Sequence, residues 1–200
     1  MVIIRHRVNT LLEISNVETK YGVEIDLRSH NGEIIVSHDP FTANPIFFDE
    51  WLKFYNHNIL ILNVKEEGIE KKVLAIVKQY KVENFFFLDQ TFPLIVKTLK
   101  SGETRTSIRI SDYESLSTLE RFEHFSSFKP NWVWIDSLTG NWEHLSCLAD
   151  IKKMGYKICL ASPELHEREL DLELIQIFEF IKMTPIDSVC TKHPERWVFD

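Results

Sequence analysis

Glu24 and Asp26 stand two residues apart in an apolar run, so on an extended strand their carboxylates leave the same face. Two like charges at that separation repel, and burial raises the cost unless a cation joins them. A hard divalent ion such as Mg²⁺ or Ca²⁺ suits an all-oxygen ligand set. A salt bridge to Arg28, Lys65 or Arg109 would also neutralise the pair, and the residue types alone leave both solutions open. The same spacing recurs in Asn63 and Lys65. His6 with Arg7, then Asp89, Arg109 and Asp136, each fall at or near the end of another apolar run. A purely structural interior would favour apolar side chains at these places, so the polar groups need a joint explanation. His30, His57, His124 and His144 lack such company and are read as hydrogen-bonded structural residues.

The elements that must position these side chains alternate from end to end. Strand-like runs cover Val2–His6, Val23–Arg28, Ile59–Lys65, Phe85–Asp89, Thr106–Ile110, Trp132–Asp136, Lys157–Ala161 and Ser188–Thr191. Between them lie helical patterns over Asn9–Tyr21, Phe48–Asn56, Glu66–Tyr80, Phe92–Leu99, Asp112–Phe125, Trp142–Met154 and Glu164–Phe180. Strand alternating with helix means parallel strands, because a parallel pair needs a crossover connection. Eight such strands close into a (β/α)₈ barrel, in which catalytic residues sit at the carboxyl ends of the strands. The spacing places the polar residues there. Alternation alone also allows an open doubly wound sheet, but no glycine-rich phosphate loop follows the first strand. After the second strand, Asn31-Gly32 predicts a tight hairpin that returns the chain at His38. The whole chain, 1–200, reads as one domain without linker or repeat. Trp132, Trp134 and Phe85–Phe87 are expected to pack as core.

This ordered set resembles the glycerophosphodiester phosphodiesterase family, related to the phosphatidylinositol-specific phospholipase C-like phosphodiesterases. The residues that carry the likeness are His6-Arg7 followed by Asn9-Thr10, Glu24-Ile25-Asp26, Asn31-Gly32 and His38-Asp39. Leu62-Asn63-Val64-Lys65 resembles the family's Glu-x-Lys element. Segments farther on, among them Arg109–Glu114, Trp134–Asp136, Ser162–His166 and Cys190–Pro194, resemble a small bacterial branch. The resemblance implies that Glu24, Asp26 and Asn63 hold a divalent cation, Mg²⁺ or Ca²⁺. It implies His6 and His38 as the general acid/base pair, and Arg7 and Lys65 as ligands of a substrate phosphate. In the family's usual scheme a substrate hydroxyl attacks first, and water then opens the cyclic phosphate.

Three departures stand out. Val8 replaces a glycine and is expected to narrow the pocket. Asn63 removes one charge from the cation's shell, and Asp39–Trp51 is short where many family members carry a helical insertion. The implied activity is hydrolysis of a small or lipid-derived phosphodiester. Its rivals are a phosphate-binding module without turnover and a lyase that stops at the cyclic phosphate.

Composition narrows the partners. A formal charge of −7 argues against broad nucleic-acid binding. No stretch approaches a membrane span, and the charged MVIIRHRVNT start is unlike a signal peptide. Cys147, Cys159 and Cys190 have no metal-ligand spacing and read as buried free thiols, which places the protein in the cytoplasm. Monomer and homo-oligomer both suit such a chain.

Overall fold

The computed structural model describes residues 1–124 and 128–197. Its strands are β1 (Val2–Arg5), β2 (Gly22–His30), β3 (Glu33–Val36), β4 (Ile46–Phe47), β5 (Leu60–Val64), β6 (Phe85–Leu88), β7 (Ser107–Ile110), β8 (Trp132–Ile135), β9 (Lys157–Ala161) and β10 (Ser188–Thr191). Its helices are α1 (Leu11–Asn16), α2 (Phe48–Leu52), α3 (Glu70–Gln79), α4 (Phe92–Lys100), α5 (Ser117–His124), α6 (Leu148–Lys153) and α7 (Leu170–Met183).

Eight strands are parallel and follow one another as β6-β5-β2-β1-β10-β9-β8-β7. Among the described residues a single bridge, from Phe87 of β6 to Thr106 just ahead of β7, closes the ring. The architecture is the expected (β/α)₈ barrel. Side chains facing inward form one cluster, with Ile4, Ile61, Phe86, Trp132, Trp134 and Cys190 among them. Phe86 stacks on Trp132 with centroids 4.5 Å apart, so these rings are core, as read from the sequence. Alternate residues face the helices in two outer clusters, including Val23, Ile25 and Leu27 on one side and Val133 and Ile135 on the other. Gly22 marks the tightest layer. A Cβ there would lie 2.9 Å from the Ile59 carbonyl oxygen.

The Asn31-Gly32 turn forms as predicted. Both residues have positive φ, 51° and 81°, and β2 runs antiparallel into β3. The unexpected element is β4, which adds two residues to the edge of β3. Too short to alternate visibly, it could not be read in advance.

Several helices are shorter than the periodicity predicts, for local reasons. Asn9 is committed to a contact with Asp26 and Thr10 caps the helix, so α1 begins at Leu11. Gly68, at φ 93°, delays α3 to Glu70. Asp112 caps a neighbouring loop instead of starting α5, and Phe125, the predicted end of that helix, lies outside the described residues. The stretches Glu143–Cys147 and Pro163–His166 are tight 3₁₀ turns ahead of α6 and α7. Among the described residues, no helix is long and apolar enough to cross a membrane.

Candidate active site

The parallel register of β2 with β5 sets Glu24 beside Ile61 and Asp26 beside Asn63, all facing the barrel axis near the carboxyl end. Glu24 and Asp26 are almost wholly removed from water, and Asn63 is buried beside them. The link after β1 straps this pair in place. Arg7 adopts a left-handed backbone, φ 54°, which turns the chain across the strand tops. Its N–H donates to Glu24 Oε2 at 2.6 Å, and the next N–H, of Val8, donates to the Glu24 carbonyl at 2.8 Å. Asn9 clasps Asp26 twice. Its Nδ2 donates to Asp26 Oδ2 at 2.8 Å, and its Oδ1 accepts from the Asp26 N–H at 3.0 Å. Trp51 Nε1 holds the strap from behind by donating to the Val8 carbonyl at 3.0 Å. Asn9 and Trp51 were not read as site residues. The Asn9-Thr10 pair was visible, but its partner seventeen residues away was not.

Val8 does not narrow the mouth as expected. Its side chain is buried in the outer core with Ile14 and Trp51.

Electrostatic demand gathers at this wall. Burial, with the charge of Asp26 next, raises the Glu24 carboxyl to about 8. Asn63 Nδ2 eases it by donating to Glu24 Oε1 at 2.9 Å. His6 Nε2 lies 3.7 Å from Glu24 Oε2. Burial, then the nearby Arg7 charge, lowers His6 to about 3, so the ring is neutral near pH 7 and the contact is no ion pair. His6 Nδ1 is buried without a hydrogen-bond partner. Asp26 is approached by Lys65 Nζ at 3.4 Å and Arg7 Nε at 3.6 Å. Of the three cations considered as neutralisers, Lys65 takes that role, and Arg28 and Arg109 do not. Arg28 braces backbone instead, donating to the carbonyls of His38 at 3.0 Å and Lys65 at 3.1 Å.

His38 follows Ser37, whose N–H bonds the Asp26 carbonyl at 2.9 Å, so the hairpin does return the chain to the mouth. Its ring is more open than that of His6, and Nδ1 lies 2.8 Å from Asp39 Oδ1.

The opposite wall carries a chain of alternating charge. Lys65 Nζ is 3.6 Å from Asp89, Arg109 joins Asp89 to Asp136, and His166 Nε2 lies 2.7 Å from Asp136 Oδ1. Asp136 is buried. Burial opposes its charge, but His166 and Arg109 outweigh that and hold its carboxyl below the usual range. The sequence does not mark His166 as a site residue, because its pairing with Asp136 joins the turn after β9 to the end of β8. Glu164 ties Pro163–His166 to β10. It accepts from Thr191 Oγ1 at 2.5 Å and from the Lys192 N–H at 2.9 Å. His57, whose Nε2 lies 3.1 Å from the Val17 carbonyl, keeps the structural role read for it.

Among the described residues, no cluster of three or more His, Cys, Asp or Glu is placed to hold a metal ion. The donor set at this wall is two carboxylates and an amide. It fits a hard cation on one count: Asn63 Oδ1, beside the two buried carboxyl groups, is buried with no hydrogen-bond partner.

The class of protein follows from the fold: an α/β barrel with its polar groups at the strand carboxyl ends. Solved structures sharing it include a candidate glycerophosphoryl diester phosphodiesterase of Agrobacterium tumefaciens, 15% identical over 98% of this chain and 95% of that one, with a TM-score of 0.69. A glycerophosphoryl diester phosphodiesterase of Parabacteroides distasonis is 12% identical over 96% and 82%, with a TM-score of 0.68. The tryptophan synthase α-subunit of Pyrococcus furiosus is 14% identical over 95% and 86%, with a TM-score of 0.57. No family model and no curated protein matches the sequence. At these identities the likeness shows the barrel fold.

Proposed function

We propose that this protein is a phosphoric diester hydrolase acting on a small or lipid-derived phosphodiester of the glycerophosphodiester type, with a divalent cation. One observation carries the reading: the buried His6 ring lies 3.7 Å from Glu24, whose side chain shares its face with Asp26 and Asn63. His6 takes the proton of the attacking hydroxyl. His38, on the returning hairpin with its ring against Asp39, gives a proton to the leaving oxygen. Arg7 and Lys65 draw the phosphate toward the mouth, where their contacts to Asp26 hold them 3.6 and 3.4 Å away. Glu24, Asp26 and Asn63 would hold the cation, which would supply positive charge against the phosphate oxygens. Free thiols at Cys147, Cys159 and Cys190 support a reducing compartment such as the cytoplasm.

The phosphate-binding module remains the second reading, favoured by Asn63 standing where the family has a carboxylate. Both are tested with a panel of phosphodiesters incubated with Mg²⁺, with Ca²⁺ and with chelator, alongside the His6→Ala/His38→Ala protein. Hydrolysis that needs cation and vanishes in the variant is expected. Ligand binding without turnover of any diester would instead establish the binding module.

A further inference from the structure

Among the described residues, β10 is followed only by the 3₁₀ turn Pro194–Trp197, whereas every other parallel strand is followed by a helix. A groove of about 600 Å³ lies beside β1, with α1 on one side and Pro194 and Glu195 of that turn on the other. Its size lies within the range of small-ligand pockets. The groove is on the outer side of the barrel. Ile4 belongs to the inner cluster and Ile3 packs against an outer one, so Arg5 turns away from the axis and into the groove.

Arg5 is partly buried and forms no ion pair or side-chain hydrogen bond among the described residues, and its Nε is wholly buried without a partner. A guanidinium held in this way lacks the compensation that a charge leaving water requires. The carboxylates lining the groove do not supply it. Glu13 accepts from the Thr10 N–H and hydroxyl, Glu18 pairs with Lys20 at 2.8 Å, and Glu195 lies 3.3 Å from His193. Arg7 also lines the groove, but its Nε is drawn toward Asp26 at 3.6 Å. The cleft of about 620 Å³ between β6 and β7 differs in this respect, because its polar groups already have partners, among them Asp89 with Arg109 and Glu114 with Ser111. One unmet positive charge among three carboxylates is selective. A dianion would be repelled by Glu13, Glu18 and Glu195, whereas a single carboxylate is neutralised by Arg5 and matches its fork of donors. Leu12, Val17 and the Tyr21 ring offer apolar surface to the rest of such a molecule.

We infer that this groove binds a small monocarboxylate with an apolar body, held by Arg5 at a site separate from the barrel mouth. Binding there does not depend on the hydrolase reading. It is tested by NMR titration of the protein, with chelator present, against benzoate, benzamide and inorganic phosphate. Benzoate should bind about tenfold tighter than benzamide, a neutral molecule of the same shape, through charge-assisted hydrogen bonds to Arg5. Arg5→Gln should bring benzoate down to the affinity of benzamide. Leu12→Trp, at an exposed position that folding tolerates, should weaken both by filling the groove, and it decides alone if Arg5→Gln does not fold. Lys65→Ala, altered at the mouth, should leave benzoate binding unchanged. Equal affinities for benzoate and benzamide, or no binding of benzoate, would overturn the inference. Benzoate binding that survives both groove variants would overturn it too, and its loss with Lys65→Ala would place the carboxylate at the mouth instead. Phosphate bound more tightly than benzoate would overturn the choice of a monocarboxylate.

Discussion

The two walls of the barrel mouth solve the problem of buried charge in opposite ways. On the far wall, from Asp89 through Arg109 to Asp136 and His166, each charge meets an opposite or hydrogen-bonding partner. On the near wall, Glu24 and Asp26 share one face, His6 is held neutral, and the Asn63 oxygen has no partner. A satisfied network rigidifies, whereas an unsatisfied one costs stability that folding alone would not retain. The near wall is where the proposed ligand and cation would act, and the far wall is a frame for the mouth.

That division is sharpest in its effect on rate. His6→Ala should lower turnover by roughly 10²–10⁴-fold, the usual worth of a general acid/base, while leaving the melting temperature within a few degrees. Near-normal kcat in that variant would remove His6 from catalysis and blur the distinction.

The far wall should respond in stability. Asp136→Asn leaves Arg109 with one carboxylate and weakens the hold on His166, at a cost of about 3 kcal/mol in denaturant unfolding. A change under 1 kcal/mol would mean that the charge chain is not a structural frame.

A third change probes the unmet demand of the near wall. Asn63→Asp adds a third carboxylate to the proposed cation ligands and should tighten Mg²⁺ or Ca²⁺ binding by about tenfold, read by calorimetry. Unaltered affinity would show that Asn63 is not a ligand.

The smallest effect is expected outside both walls. Burial opposes the charge of Asp112, but the Thr139 hydroxyl and the N–H groups of Leu138 and Thr139, the latter two at 2.9 and 2.8 Å, outweigh it and bring the carboxyl down to about 2. A carboxyl lowered on folding adds stability above its unfolded pKa and loses it as pH falls through the folded one. Asp112→Asn should therefore flatten the loss of stability between about pH 4 and pH 2, by a small amount because the group is exposed. An unchanged acid-unfolding curve would show that the loop bond contributes nothing.

Much of this was legible in the residues themselves. Apolar runs alternating with amphipathic stretches specify eight parallel strands, because the periods of strand and helix are set by backbone geometry. Asn31-Gly32 specifies its turn, since both residues tolerate positive φ. Glu24 and Asp26 share a face in any extended strand, whatever surrounds it.

Tertiary structure alone decided which charge meets which. Lys65 rather than Arg28 approaches Asp26, Arg109 turns to Asp89 and Asp136, and Asn9 gives up its helix to clasp a strand seventeen residues on. Those pairings depend on strand register and on the tilt at which the barrel closes, which local sequence does not encode. The cleft between β6 and β7 belongs to the same category. It lies where neighbouring strands share a single bridge among the described residues, and ring closure is a property of all eight strands together.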